Sequence, residues 1–148
     1  MTDNVLDKFN LHGRTVLVTG GAGLLGKQFS LAMAQAGANV VVADLAQDAA
    51  QGHADLLASR GYQALGVAVD VTNPDSTTAM VAQAVERFGS LDVLINSAAM
   101  DPKFDPHHAG SQAANAFESY SLDSWPQALD VNLTGMFLAS QAAVMPML

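Results

Sequence analysis

Hydrophobic positions along this chain follow two alternating patterns. Thr15–Thr19 (TVLVT), Asn39–Ala43 (NVVVA), Ala64–Val69 (ALGVAV) and Asp92–Ile95 (DVLI) are short apolar runs rich in β-branched residues. That is the signature of strands buried on both faces. Between them the apolar residues space out to helical intervals. Phe29, Ala32, Met33 and Ala36 predict one helical face, ended by Gly37. Ala49, His53, Leu56 and Leu57 predict a second, closed by Gly61. Asn73 is placed to cap a third helix, with Pro74 at its first position, a stripe of Val81, Ala84, Val85 and Phe88, and Gly89 past its end. A last helix is expected from Asp123 or Ser124, running through Leu129, Leu133, Met136 and Phe137 toward Pro146.

The order is strand and helix in strict alternation, which implies parallel strands joined by right-handed crossovers. The predicted fold is α/β, one Rossmann-like doubly wound parallel sheet over residues 1–148, stopping after the fourth strand and its following helix. Met100–Tyr120 breaks the rhythm and reads as a long loop or insertion, a kind of segment that often carries function.

Composition narrows the chemistry. Half of the residues are hydrophobic and 14% are charged, so the chain is globular rather than disordered. The net charge of −8 disfavours nucleic acid and anionic membrane surfaces as partners. The absence of cysteine excludes disulfides, thiolate metal sites and cysteine nucleophiles. The first eight residues show no secretory signal, and the apolar run Met136–Leu148 is short of the ~20 residues that span a bilayer. A cytoplasmic location is therefore expected. The adjacent His107 and His108 diverge in regular structure and make a poor metal site, so no metal is expected.

The sharpest motif is Thr19-Gly20-Gly21-Ala22-Gly23-Leu24-Leu25-Gly26, between the first strand and the first helix. There Gly20 permits a tight turn, Gly23 lets backbone approach a pyrophosphate, and Gly26 lets helix and strand pack closely. The helix N-terminus, with Leu24 and Leu25 in its first turn, faces the phosphates with unpaired N–H groups. Asp44, followed by Leu45, ends the second strand 24 positions after Gly20 (44 − 20). A carboxylate there accepts from ribose hydroxyls and repels a 2′-phosphate, which favours NAD over NADP; its plainer reading is a helix N-cap. Asp70-Val71 and Asn96-Ser97-Ala98-Ala99 follow the third and fourth strands, where ligands of open α/β sheets bind, though each also reads as a cap or turn.

With Asp130-Val131-Asn132-Leu133-Thr134-Gly135, these segments resemble the short-chain dehydrogenase/reductase family over nearly the whole chain. The resemblance implies hydride transfer between a nicotinamide and an alcohol or carbonyl substrate, and homo-oligomers for the complete protein. It implies that Asp70 bonds the adenine amino group, that Val71 packs on the ring, and that the backbone of Asn96, Ser97 and Ala98 lines the nicotinamide ribose. It also implies that Asn132 is the catalytic asparagine that holds a water in a proton relay; a buried asparagine at a helix bend is the alternative. Two departures stand out. NSAA replaces the usual NNAG, and the glycine spacing Gly20, Gly23, Gly26 is similar to that of the family's extended branch.

The family's chemistry further requires a serine and a Tyr-x-x-x-Lys pair. Neither tyrosine fits, since Tyr62 precedes Gly66 and Tyr120 precedes Ser124 at that interval. The expectation is a truncated product or partial gene model, inactive by itself, with an apolar fourth-strand edge left open. The long insertion suggests a polar, sugar-like substrate. Two rival readings are a non-catalytic dinucleotide-binding protein and an S-adenosylmethionine-dependent methyltransferase, which also pairs a glycine turn with an acid after strand two.

Overall fold

The computed structural model describes residues 5–100 and 122–148. The expected loop therefore falls, from residue 101 to 120, outside the described residues. After a short 3-10 helix at Val5–Phe9, the chain runs β1 (Thr15–Thr19), α1 (Leu24–Gln35), β2 (Asn39–Asp44), α2 (Gln47–Ser59), β3 (Ala64–Ala68), α3 (Pro74–Phe88) and β4 (Val93–Asn96). A second 3-10 turn at Leu122–Ser124 leads into α4 (Trp125–Leu129), a π-helical segment (Asp130–Gly135) and α5 (Met136–Met147). The four strands form one parallel sheet in the order β3-β2-β1-β4, with Leu17 opposite both Val41 and Leu94. This is a Rossmann-like α/β fold.

Every residue of β1 is buried, because helices cover the sheet on both sides. Side-chain alternation assigns the two cores. Val16, Val18, Val40 and Val42 point toward Ala34 of α1 and Ala50, Ala54 and Leu57 of α2. Leu17, Val41, Ala43 and Val67 point toward Met80, Val81 and Ala84 of α3 and Ala139 and Ala143 of α5. In β4, at an edge of the described sheet, Val93, Leu94 and Ile95 are only half-buried.

The expected cap of α3 is present. The Asn73 side chain accepts from the N–H groups of Asp75 and Ser76 at 2.9 and 3.3 Å, and Gly89 closes the helix at φ 83°. Strand limits differ by single residues: β2 reaches Asp44, β3 ends at Ala68, and β4 is shifted by one at both ends, Val93–Asn96.

Three helical faces need correction. In α1 the buried stripe is Gly26, Ser30 and Ala34, whereas Phe29 and Ala32 are exposed and Met33 and Ala36 half-buried. In α2 it is Ala50, His53, Ala54 and Leu57, with Ala49 and Leu56 exposed. Along the last helical stretch Ala128, Gly135, Ala139 and Ala143 are buried, and Leu129, Leu133, Met136 and Phe137 are exposed. In α1 and α5 the cause is the same. A helix lying close on a flat parallel sheet presents its smallest residues to the strands, so ranking positions by side-chain size selects the flank or the far side.

Candidate functional site

The carboxyl ends of the four strands open into a cavity of about 630 Å³. Gly20, Gly23, Leu24, Leu25 and Gly26 supply one wall; Asp44 and Leu45 form the rim beyond β2. Asp70 and Val71 come from the segment after β3, Ser97 and Ala98 from the segment after β4, and Val131 from the π-helical segment. Every residue expected to hold a cofactor thus lines this one cavity except Asn96. Asn96 lines an adjoining cavity of about 230 Å³, with Thr19, Asn132 and Met136.

The glycine turn is built by close backbone approach. Gly20 has φ 62°, and a Cβ there would meet the Ala98 Cα at 2.7 Å. A Cβ at Gly26 would overlap the Gly20 carbonyl oxygen and reach Gly21 Cα at 2.7 Å, so the start of α1 lies directly on the turn. Gly21 N–H donates to Ala43 O at 2.9 Å, which docks the turn on β2. The first intrahelical bond of α1 runs from Lys27 N–H to Gly23 O at 3.1 Å. The N–H groups of Leu24, Leu25 and Gly26 precede it and lack an i−4 acceptor, the arrangement that binds anions at helix starts.

Asp44 is not a helix cap: α2 begins after Ala46, which makes no side-chain cap bond. Its carboxylate instead accepts from Ala22 N–H at 3.0 Å, across from β2 to the glycine turn. Asp70 Oδ1 accepts from Thr72 N–H at 2.9 Å and from Thr72 Oγ1 at 2.6 Å. These bonds, the hydroxyl's first, hold the Asp70 carboxyl below its ordinary pKa, so it stays ionised well into acid. The ionisable residues lining the large cavity are both carboxylates, Asp44 and Asp70; no Lys or Arg is among its described lining residues.

Thr19, at the head of the glycine motif, organises the β4 side of the site. Its buried Oγ1 accepts from the N–H groups of Ser97 and Ala98, each at 3.2 Å. The available signal was a hydroxyl at the end of an otherwise apolar strand. Asn96 turns the other way: its Nδ2 donates to Ser140 Oγ at 3.1 Å, linking β4 to α5.

Asn132 lies inside the π-helical segment, a deviation that recurs at functional sites. It is exposed, which corrects the buried alternative. Oδ1 accepts from Met100 N–H at 2.7 Å and Nδ2 donates to Met100 O at 3.0 Å, so the amide grips the segment after β4 in the manner of a strand neighbour. A Cβ at Gly135 would come within 2.6 Å of Val71 Cγ2, so the same π-helical segment packs against the cavity wall. Tyr120 and the histidine pair lie outside the described residues; among the described residues no cluster of His, Cys, Asp or Glu is arranged to hold a metal. Nor is any described helix long and apolar enough to cross a membrane.

Comparison with known proteins agrees with this geometry. The family model for short chain dehydrogenases matches residues 14–148. A short chain dehydrogenase/reductase of Colletotrichum higginsianum, dpchG, is 38% identical over the entire chain. A 3-alpha-(or 20-beta)-hydroxysteroid dehydrogenase of Mycobacterium bovis is 39% identical over 93% of it. The crystal structure of a short-chain type dehydrogenase/reductase from Mycobacterium marinum superposes with a TM-score of 0.80 at 35% identity, over 97% of this chain. The chain spans about half the length of these relatives: 52%, 47% and 52% respectively. Fold, site and relatives agree: the chain belongs to the short-chain dehydrogenase family.

Proposed function

We propose that this chain forms the NAD-binding half of an oxidoreductase that moves hydride between a nicotinamide and a small alcohol or carbonyl compound. The observation that carries the reading is the single cavity joining the glycine turn, the open N-terminus of α1 and the Asp44 carboxylate. The residues fit the group. The N–H groups of Leu24, Leu25 and Gly26 receive a pyrophosphate, and Asp44 accepts from the adenosine ribose with the carboxyl oxygen that Ala22 leaves open. Asp70 accepts from the adenine amino group while Val71 packs on the ring. Thr19 holds the Ser97–Ala98 backbone where the nicotinamide ribose would lie. Two lining carboxylates, and no Lys or Arg among the described lining residues, argue for NAD over NADP.

The bound nicotinamide supplies the hydride chemistry. Asn132 contributes by fixing the Met100 segment and, as the family resemblance implies, by holding a water in a proton relay. The proton donor would be the tyrosine of a Tyr-x-x-x-Lys pair, which the 148 residues do not contain. The chain by itself therefore binds cofactor without turnover. Family membership leaves no support for the methyltransferase. The mycobacterial relative, named for hydroxysteroids, makes ring-borne hydroxyl compounds a better first substrate panel than sugars. The exposed apolar residues of α4, the π-helical segment and α5 support a homo-oligomer.

Calorimetric titration with NAD and NADP tests this reading. NAD binding at least ~10-fold tighter than NADP is expected. Equal or tighter NADP binding removes the NAD assignment, and failure of both nucleotides to bind removes the function.

A further inference from the structure

His53 sits where α2 meets α1, and its position is unusual for a histidine. The residue is 8% exposed, and neither ring nitrogen has a hydrogen-bond partner of normal geometry. A buried imidazole without partners is tolerated only as the neutral ring, because the charged form loses hydration with nothing in return. The groups acting on it are cationic: Lys27 from the first turn of α1 and Arg60 at the end of α2. The sheet behind α2 presents Val40 and Val42, which offer no compensating charge. Burial first, then the Lys27 charge, hold the ring below its ordinary pKa; the Lys27 main chain pulls the other way but does not reverse the result. Ser30, one turn further along α1, is likewise fully buried with an unpartnered hydroxyl, so no side chain of α1 is hydrogen-bonded to the ring.

We infer that His53 is a proton-sensitive latch between α1 and α2, closed when the ring is neutral and opened by its protonation. Lys27 is the residue whose N–H makes the first helical bond to Gly23, so the latch lies directly behind the glycine turn. Loosening it frees the start of α1, which is one wall of the large cavity. The sign follows from the ring. Well above pH 6.5 it is uncharged in both folded and unfolded chains and no penalty exists. As pH falls below about 6.5 the unfolded chain takes up the proton first, and the closed seam loses stability until the folded ring also titrates.

The test combines two measurements on the intact chain. Proton NMR follows the His53 ring, assigned by its disappearance in His53→Leu. Hydrogen–deuterium exchange follows residues 24–35 and 47–59 between about pH 7.5 and about pH 5.5, corrected for intrinsic exchange. The expected result is a ring that titrates below its ordinary value, with protection in both segments falling several-fold, and by no more than ~10-fold, on acidification. In His53→Leu, and in His53→Gln should the first variant fold poorly, that loss is absent. A ring titrating at or above its ordinary value overturns the latch. So does an equal acid-driven loss in wild type and variant. Neither measurement depends on which nucleotide binds.

Discussion

The Asp44 carboxylate accepts a hydrogen bond from Ala22 N–H at 3.0 Å, fastening the end of β2 to the glycine turn after β1. The residue expected to read the ribose is therefore also a strut of the phosphate-facing loop. The two functions separate by substitution. Asp44→Ala removes both and is expected to weaken NAD binding ~10- to 100-fold, the scale of a lost charged hydrogen bond of ~1.5–3 kcal/mol. Asp44→Asn keeps an acceptor for Ala22 but no charge, so it should narrow the gap between NAD and NADP while leaving thermal stability close to wild type. Paired calorimetric titrations and melting curves check this. An Asn variant with unchanged nucleotide preference would dismiss the charge argument.

Two glycines in helices make opposite predictions. Gly52, in the middle of α2, has nothing within 4 Å of where a Cβ would lie. Gly52→Ala should raise stability by about 0.5–1 kcal/mol, since the helix gains propensity at no steric cost. Gly26→Ala places its methyl group into the Gly20 carbonyl and Gly21 Cα, both backbone atoms that cannot swing aside. That variant should lose several times more stability than Gly52→Ala gains, and lose nucleotide binding with it. Urea denaturation of both proteins decides the matter, and a wild-type-like Gly26→Ala would mean that the turn is not packed as described.

Thr19 Oγ1 satisfies the N–H groups of both Ser97 and Ala98. Thr19→Val keeps the volume and removes the acceptor, leaving donors unpaired beside the β1–β4 crevice. A loss of about 1–3 kcal/mol is expected, the cost of orphaning such groups. Thr19→Ser keeps the oxygen and should recover most of it. If Val and Ser variants unfold at the same denaturant concentration, the hydroxyl is not what holds this segment.

How legible these features were in the sequence depended on what each signal measures. The four strands were visible because β-branched runs are needed wherever a parallel sheet is covered on both faces, as Val16–Val18 and Val40–Val42 are. The α3 cap was visible because Asn73-Pro74 and Gly89 act through local geometry. The cavity residues were visible because glycine spacing after β1 and an acid after β2 form a compact motif at the carboxyl ends of the strands. Helix orientation was not. Gly26, Ser30 and Ala34 face the sheet because they are small, a property that hydrophobic ranking scores low. The same reasoning hid Ala128, Ala139 and Ala143 behind the larger Leu129, Leu133 and Phe137. The contacts of Thr19 and Asn132 were hidden differently, although Asn132 itself stood out through the family resemblance. Their partners, Ser97, Ala98 and Met100, are backbone groups distant in sequence, and no side-chain pattern records a main-chain hydrogen bond.

At the opposite end of the sheet, Asp92 gives a prediction about acid stability. Its Oδ2 accepts from Thr15 N–H at 2.8 Å and its Oδ1 from Arg14 Nη1 at 2.6 Å, while its own N–H donates to Thr15 O at 2.9 Å. The β1 and β4 strands are thereby clamped where they begin. The Thr15 N–H first, and then the Arg14 guanidinium, hold the Asp92 carboxyl below its ordinary pKa in the folded chain. The carboxylate form is favoured by folding, so its contribution is fully present above the unfolded aspartate value of about 3.9 and is lost as pH falls through the lower folded value. Asp92→Asn can still accept from Thr15 but cannot pair with Arg14 as an ion. It should lower stability at neutral pH and flatten the dependence between about pH 5 and about pH 2, so that wild-type and variant denaturation midpoints converge in acid. Arg14 is largely exposed, with a side chain 63% accessible, so added salt should weaken its part of the clamp and leave the Thr15 bond in place. Midpoints that stay equally far apart across that pH range would show that the clamp acts through packing rather than through the Asp92 charge.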